Sequence, residues 1–347
     1  MQYKLSQLVN YSNDKINSSL LTNLNYISTE NMLPNIGGII KSSNVPLNTN
    51  VCKFIKDNIL LSNIRPYFHK LYLSTFTGGC SNDVLCFKIT NPKIINPKYL
   101  YYAMSTKSFI DYVVSTSKGT KMPRGDKNAI LEYTFNVASI PQQLLIVDII
   151  GSLDDKIENN NKIIEKLWQK LQLVHTDFKS KNELVEKNIL ELADIKYGKG
   201  IPTSEILKDG LYSVYGSNGI IGYLNNYTFK EHKIAISCRG NSSGIIHLTD
   251  ENSTVTSNSL VLDFKNFDYT YYFFLEFMYK GLYEYKTGSA QPQITIDNLK
   301  ILNLQVPKNI NDYIKNINDS VEYTFCLKKE NQKLFLLKQF YLKKFFG

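Results

Sequence analysis

The chain has 347 residues, 43% of them hydrophobic, and a net charge of +9. This is enough for two domains with ordinary cores; no run reaches the roughly 18 apolar residues of a membrane span, and no signal-type stretch follows the N-terminus, so a cytoplasmic protein is expected. The five cysteines (Cys52, Cys80, Cys86, Cys238, Cys326) are odd in number and form no CxxC pair, which points to reduced thiols rather than a disulfide framework or a zinc site.

Residues 1–139 carry 15 basic and 7 acidic side chains, a local charge of +8. Ile59 to Ile64 and Val84 to Ile89 are β-type runs, and Gly78-Gly79 predicts a turn between them. Tyr99 to Val114 reads as one helix, with Tyr102, Phe109, Ile110 and Val113 near one face.

Residues 140–187 change character and have a charge of −1. Apolar residues recur at Ile146, Ile150, Leu153 and Ile157, then Ile164, Leu167, Leu171, Val174 and Phe178, with Asn160 the single polar member. The 4-3-4-3 spacing is a heptad seam, which predicts a coiled coil. Ser139 and Gln142 offer a capping pair, and Pro141 suits a first helical turn. Asn160 either fixes register from inside the seam or faces solvent.

Residues 188–306, with a charge of −2, repeat the plan of the first domain. Ile234 to Ser237 and Ser259 to Phe264 are predicted strands, and Tyr269 to Tyr283 a predicted helix. Residues 307–347 carry +4 and are helical again. Ile310, Ile314, Ile317 and Val321 keep the seam spacing; Leu327, Leu334, Leu337 and Tyr341 suggest a slipped register beyond them.

The repeat is visible in ordered landmarks. Arg65 and Arg239 lie 174 positions apart, Tyr102 and Tyr272 170, Gly119 and Gly288 169, and Pro141 and Pro307 166. A duplicated unit, each copy followed by a long helix, predicts a molecule that meets something two-fold. The helices can pair antiparallel and place the domains at opposite ends of a rod; the competing arrangement packs each helix on its own domain or uses it for homodimerisation.

Catalytic signatures are missing from the sequence. There is no GxxxxGK loop, no Asn-Pro-Pro-aromatic segment and no glycine-rich turn suited to S-adenosylmethionine. His69, His175, His232 and His247 are scattered, and Glu284-Tyr285-Lys286 has a nuclease-like E-x-K spacing without an upstream proline-aspartate partner. The chain reads as a reader and scaffold rather than a catalyst.

Several motifs in fixed order resemble the specificity (S) subunits of type I restriction-modification systems. They are Leu61-Ser62-Asn63-Ile64-Arg65-Pro66, Gly79-Cys80-Ser81-Asn82-Asp83, Gly119-Thr120-Lys121-Met122-Pro123-Arg124-Gly125-Asp126, and Ile140-Pro141-Gln142-Gln143 leading into Leu153-Asp154-Asp155-Lys156-Ile157. The second copy offers Tyr215-Gly216-Ser217-Asn218-Gly219-Ile220-Ile221-Gly222-Tyr223 and Gly288-Ser289-Ala290-Gln291-Pro292-Gln293-Ile294. The likeness spans essentially the whole chain, although the C-terminal seam is weaker than the family pattern.

The resemblance implies an α+β fold: two mixed target-recognition domains (1–139 and 188–306) and two spacer helices (140–187 and 307–347) in an antiparallel coiled coil. It implies that each domain reads half of a split site in double-stranded DNA and that the helices set the gap. It implies two docked methyltransferase subunits and restriction/translocase subunits that can join them. S-adenosylmethionine, ATP and Mg would then sit on those partners, with no cofactor or metal on this chain.

Reading DNA requires base-edge hydrogen bonds on a frame of phosphate contacts. In the first copy, Lys118, Lys121, Arg124 and Lys127 share one polar loop, with a solvated loop as the competing reading. Arg65 and Arg239 follow buried-looking strands, and each could instead be a structural arginine paired with a carboxylate. In the second copy Ser217, Asn218, Asn241, Ser242, Gln291 and Gln293 either read bases or make turns, and Tyr215 and Tyr223 either stack or pack. Its DNA face would draw local positive charge from Lys196, Lys199, Arg239 and Lys286. The alternative function is an orphan scaffold or inhibitor that binds the partner subunits without reading DNA; a third is service to a fused or type II-like nuclease.

Overall fold

The computed structural model describes residues 1–288 and 291–347, with side chains except at Tyr279, Asp312 and Asn316. Ser289 and Ala290, part of the second-copy loop motif, lie outside the described residues. The chain forms two compact units: residues 1–158 with 331–347, and residues 159–330.

In the first unit a four-stranded antiparallel sheet runs in the order Val9–Tyr11, Val84–Ile89, Ile59–Ser62, Leu71–Leu73. Leu61, Leu85 and Phe87 from this sheet are buried with Tyr99, Leu100, Phe109 and Ile110 from the helices beside it. A second sheet runs Lys15–Asn17, Asn50–Phe54, Gly78–Cys80, Tyr26–Ile27. Gly78-Gly79 therefore lies in a strand rather than the expected turn. A Cβ at Gly78 would meet the Asn25 carbonyl oxygen at 2.1 Å, and one at Gly79 would meet Leu21 Cδ1 at 2.5 Å. Close approach, of the Asn25 backbone at Gly78 and of packed aliphatic side chains at Gly79, requires these glycines rather than turn formation.

The single helix expected over Tyr99 to Val114 is two helices, Pro97–Met104 and Lys107–Ser115. Ser105 and Thr106 hydroxyls donate back to the Tyr101 and Ala103 carbonyls at 2.7 Å each, and this local bonding competes with helix continuation.

The second unit repeats the first sheet strand for strand. Its order is Ala193–Tyr197, Ser259–Phe264, Ile234–Ser237, Ile246–Leu248, again antiparallel throughout. The helix Asp268–Lys280 stops at Gly281, whose φ of +65° is open to glycine, so it ends before the expected Tyr283.

The central helix runs Ile140–Lys181 and the C-terminal helix Ile310–Phe346. Ser139 N–H and hydroxyl both donate to Gln142 Oε1, at 3.2 and 3.0 Å, closing the start of the central helix. Ile146, Ile150, Asn160 and Leu171 are buried, and Leu153, Ile157, Ile164, Leu167 and Val174 are half-buried. Ile310, Ile314, Ile317 and Val321 are buried as well. Each such aliphatic side chain removed from water contributes about 1.5–3 kcal/mol.

Inside each unit the two helices run antiparallel. In the first, Lys338 Nζ is 2.6 Å from Asp154 Oδ1, and Leu342 shares a core with Ile146 and Ile150. In the second, Asn160 Nδ2 donates to Glu330 Oε2 at 2.7 Å, and His175 Nδ1 is 2.9 Å from the Tyr313 hydroxyl. Asn160 thus faces inward and bonds across the pair, which favours one register over its neighbours. Leu337, expected in the slipped seam, is 41% exposed. Its neighbour Lys338 turns inward to meet Asp154 at that one place, whereas Leu327 is buried and Leu334 and Tyr341 are half-buried where the spacing puts them.

Candidate nucleic-acid interface

The two copies build the same clamped loop, after a helix and against the end of the same strand. In the first, Lys118 and Arg124 exchange two backbone hydrogen bonds, each 2.8 Å, around residues 119–123. In the second, Thr287 and Gln293 exchange two, of 2.8 and 2.9 Å. Gly119 (φ +94°) and Gly288 (φ +87°) take the left-handed position that opens each loop. The loop is tied to the strand end by Arg65 N–H to Pro123 O at 2.8 Å in one copy and Ile294 N–H to Cys238 O at 3.0 Å in the other. A short helix follows both loops, capped by Asp126 in one and Thr295 in the other.

The side chains on this shared frame differ. Lys118 Nζ pairs with Asp126 at 2.6 Å, and Arg124 Nη2 with Asp83 Oδ1 at 3.0 Å. The Lys118 hydrogen bond, then the Ala129 and Asn128 amides, hold the Asp126 carboxyl below its ordinary pKa. Lys118 and Arg124 are thus partly neutralised in place, whereas Lys121 and Lys127 are exposed and form no ion pair among the described residues. In the second copy Thr287, Gln293 and Thr295 hold the corresponding places without charge. Asn258, whose carbonyl accepts from Cys238 as that of Asp83 accepts from Asn63, replaces the carboxylate.

Arg65 and Arg239 do not occupy identical places. Ile64 bridges Arg124 as Arg239 bridges Gln293, so the register differs by one residue. Arg65 itself is left-handed (φ +49°), a place that Gly240 (φ +68°) fills in the second copy. Both arginines are exposed and neither forms an ion pair among the described residues, so neither is the structural arginine of the competing reading.

Other second-copy candidates are distributed over separate loops. Ser217-Asn218 is the turn of the hairpin Tyr212–Gly216 and Gly219–Leu224; the Ser217 carbonyl accepts from the Ser237 hydroxyl, and Asn218 is exposed. Asn241 lies exposed on the turn Gly240–Ser242, and Gln291 is exposed on the clamped loop. Lys286 covers the Tyr283 ring at 4.3 Å, so its ammonium is engaged with an aromatic face rather than a nuclease-like partner. Tyr215 is buried and its hydroxyl accepts from Asp250 N–H, which makes it a packing residue.

Lys196 and Lys199 line an open cleft of about 520 Å³ with Lys230, Lys233 and Phe229. Lys196 lies 5.1 Å from the Phe229 ring centroid and 2.9 Å from Asp263 Oδ2; Lys233 is 2.7 Å from Asp263 Oδ1. Burial pushes the Asp263 pKa up, but hydrogen bonds from Lys233 and Lys196 outweigh it and the net shift is downward. Glu231 also lines it, 3.3 Å from Lys233, so the cleft is a cationic concavity of four lysines with two internal counter-charges. The sequence reading missed Lys230, Lys233 and Phe229, because strand pairing rather than spacing brings them beside Lys196.

Of the cysteines, Cys52, Cys80, Cys86 and Cys238 are buried, Cys326 is exposed, and none forms a disulfide. No group of three or more metal-ligating side chains occurs among the described residues. No helix among them is long and apolar enough to cross a membrane.

Two tandem domains of one plan, each carrying the same clamped loop beside basic or hydrogen-bonding side chains, define a duplicated α+β protein. The family model described as type I restriction modification DNA specificity domain matches residues 2–169 and again residues 181–338, and the chain belongs to that family. It is 30% identical over 101 residues to the Escherichia coli type I restriction enzyme EcoDI specificity subunit, covering 29% of this chain and 22% of that protein. It is 28% identical over 137 residues to the Methanocaldococcus jannaschii MjaVIII specificity subunit, covering 34% and 32%. The matched segments thus span less than a third of either relative. A crystal structure of the type I restriction-modification S subunit from M. genitalium shares the fold, with a TM-score of 0.66 at 17% identity, over 100% of this chain and 96% of that one.

Proposed function

We propose that the chain is the non-catalytic DNA-recognition subunit of a type I restriction-modification complex. Each target-recognition domain reads one half of a bipartite site in double-stranded DNA. The paired helices set the gap and dock two methyltransferase subunits, which restriction/translocase subunits join. S-adenosylmethionine, ATP and Mg act on those partners in the cytoplasm. In the first domain Arg65, Lys121 and Lys127 carry phosphate contacts, while Lys118 and Arg124 shape the loop and present the remaining donors. In the second, Lys196, Lys199, Arg239 and Lys286 supply charge, and Asn218, Asn241, Gln291 and Gln293 supply neutral donors and acceptors.

One observation carries this reading most: the same clamped loop occurs in both copies with different side chains. A constant frame with variable hydrogen-bonding groups suits two half-sites of different sequence.

Co-expression with the methyltransferase subunits and methylome sequencing tests it. Adenine methylation at a bipartite motif is expected, and inserting one heptad into both helices should lengthen the gap while leaving both halves unchanged. No methylation at any split motif would overturn it. A steep loss of DNA affinity with rising salt separates a reader from a scaffold that only sequesters partners.

A further inference from the structure

We propose that Tyr67 and Phe68 form a preformed aromatic wedge that the first domain alone inserts against a base step of its half-site. The inference rests on the DNA-reading function above. The two rings sit side by side on the turn Pro66–Phe68, with centroids 4.8 Å apart, and are 47% and 38% exposed. Two large neighbouring aromatics facing water lose the burial that would otherwise stabilise the fold.

Strained backbone holds them there. Arg65 (φ +49°) and His69 (φ +52°) bracket the turn, and Asn35 (φ +54°) and Ile36 (φ +59°) face it. These are four of the seven non-glycine residues with positive φ among the described residues. A Cβ disfavours that conformation, most of all on branched Ile36. Two hydrogen bonds fasten the strained segments together: Asn35 N–H to Phe68 O at 2.9 Å, and Ile36 N–H to His69 O at 2.8 Å. Arg65 N–H to Pro123 O joins the turn to the clamped loop. Strain so concentrated marks a segment whose shape is over-determined, as at ligand clamps.

The surroundings favour DNA as the occupant. Arg65 is exposed beside the rings, Lys121 is exposed on the loop tied to it, and Lys70 lies 5.7 Å from the Phe68 ring centroid. Apolar side chains flanked by cations are the equipment of proteins that unstack a base step while holding phosphates. In the second copy, where Gly240 takes the place of Arg65, Ser242 and Ser243 stand at the places of Tyr67 and Phe68, and Gly240 and Gly244 relieve the left-handed positions. The wedge is therefore one-sided.

The test uses the full subunit assembled with its methyltransferase partners. Duplexes carry 2-aminopurine at successive positions of each half-site. A fluorescence rise is expected at one step in the first domain's half only. Tyr67→Ala/Phe68→Ala should abolish that rise and weaken binding by about 5- to 150-fold, the range for lost base stacking. The slope of log affinity against log salt should stay unchanged, since no phosphate contact is removed. Tyr67→Ser/Phe68→Ser, which borrows the second copy's side chains at Ser242 and Ser243, should behave alike and guards against a folding artefact. A signal equal in both halves that survives both variants overturns the wedge, as does loss of methyltransferase binding by the variants. If the wild-type complex binds DNA and the variants match it within about twofold, only the wedge falls. If the wild type binds no duplex, the functional reading itself falls.

Discussion

The two domains meet the helices through the same tyrosine position but with different chemistry. In the first, Tyr102 donates to Asp154 Oδ2 at 2.9 Å and Lys338 completes the group. In the second, Tyr272 packs on His175 at 4.8 Å between centroids, and His175 links the Tyr313 hydroxyl to Glu276 Oε2, 3.0 Å away. Lys179 and Lys280 also reach Glu276, at 2.6 and 3.0 Å. The clamped loops differ in the same manner, one charged and one neutral on a common backbone. Duplication has kept geometry and released side-chain identity, so a network counts as structural where burial is deep and as variable where solvent reaches it.

The helix junctions give the largest expected effects. Glu276→Gln leaves three donors facing one neutral amide in a site only 10% exposed, and should cost about 3 kcal/mol in denaturant unfolding of the second unit. Asp154→Asn should cost about 1 kcal/mol, because Asp154 is 31% exposed and its amide oxygen still accepts from Tyr102. Equal costs would show that burial does not set the strength of the two junctions. The Glu276 contribution also depends on pH. Burial alone would raise its pKa, but hydrogen bonds from His175, Lys179 and Lys280 outweigh that and hold it well below the usual range. The folded state therefore binds fewer protons at this group than the unfolded chain. Its contribution is complete above the ordinary glutamate value of about 4.3 and fades as pH falls toward the depressed folded value. The stability gap between wild type and Glu276→Gln should be full at neutral pH and narrow below pH ~4; a gap constant down to pH ~3 refutes the assignment.

A middle-sized effect separates the loop glycines. Both have left-handed φ, so alanine should cost about 1 kcal/mol at either. A Cβ at Gly288 would also lie 2.8 Å from the Gln291 carbonyl oxygen, whereas at Gly119 the nearest atom is Met122 O at 3.6 Å. Gly288→Ala should therefore lower the melting temperature more than Gly119→Ala, and the opposite order would show that the two loops are not equivalent.

Much of this architecture is legible in the residues, and the illegible parts share a cause. The central seam is readable because burial of Ile146, Ile150 and Leu171 imposes its period directly on the sequence. Leu337 misleads because an ion pair, Lys338 with Asp154, takes the inward place near the end of the helix. The clamped loops announce themselves through Gly119 and Gly288, where backbone conformation needs that residue. The Tyr67–Phe68 turn does not, because its left-handed positions are held by Arg65 and His69, residues that carry no such signal. The pairing of Arg124 with Asp83 crosses two strands and leaves no local trace.

The smallest effect on stability probes the loops themselves. Arg124→Gln/Asp83→Asn gives the first loop the second loop's chemistry, and an exposed ion pair contributes only about 0.2–1 kcal/mol. Thermal unfolding should shift by less than that range, because the loop is clamped by backbone bonds that both variants keep. DNA binding should respond differently from stability. Asp83→Asn alone frees the guanidinium, and affinity at low salt should rise with a steeper salt dependence. Arg124→Gln alone should reduce the slope of log affinity against log salt by about one, the signature of a lost phosphate contact. If the double variant keeps the wild-type slope, Arg124 serves the loop and not the DNA. The two copies would then differ in how their loops are braced rather than in what they read there.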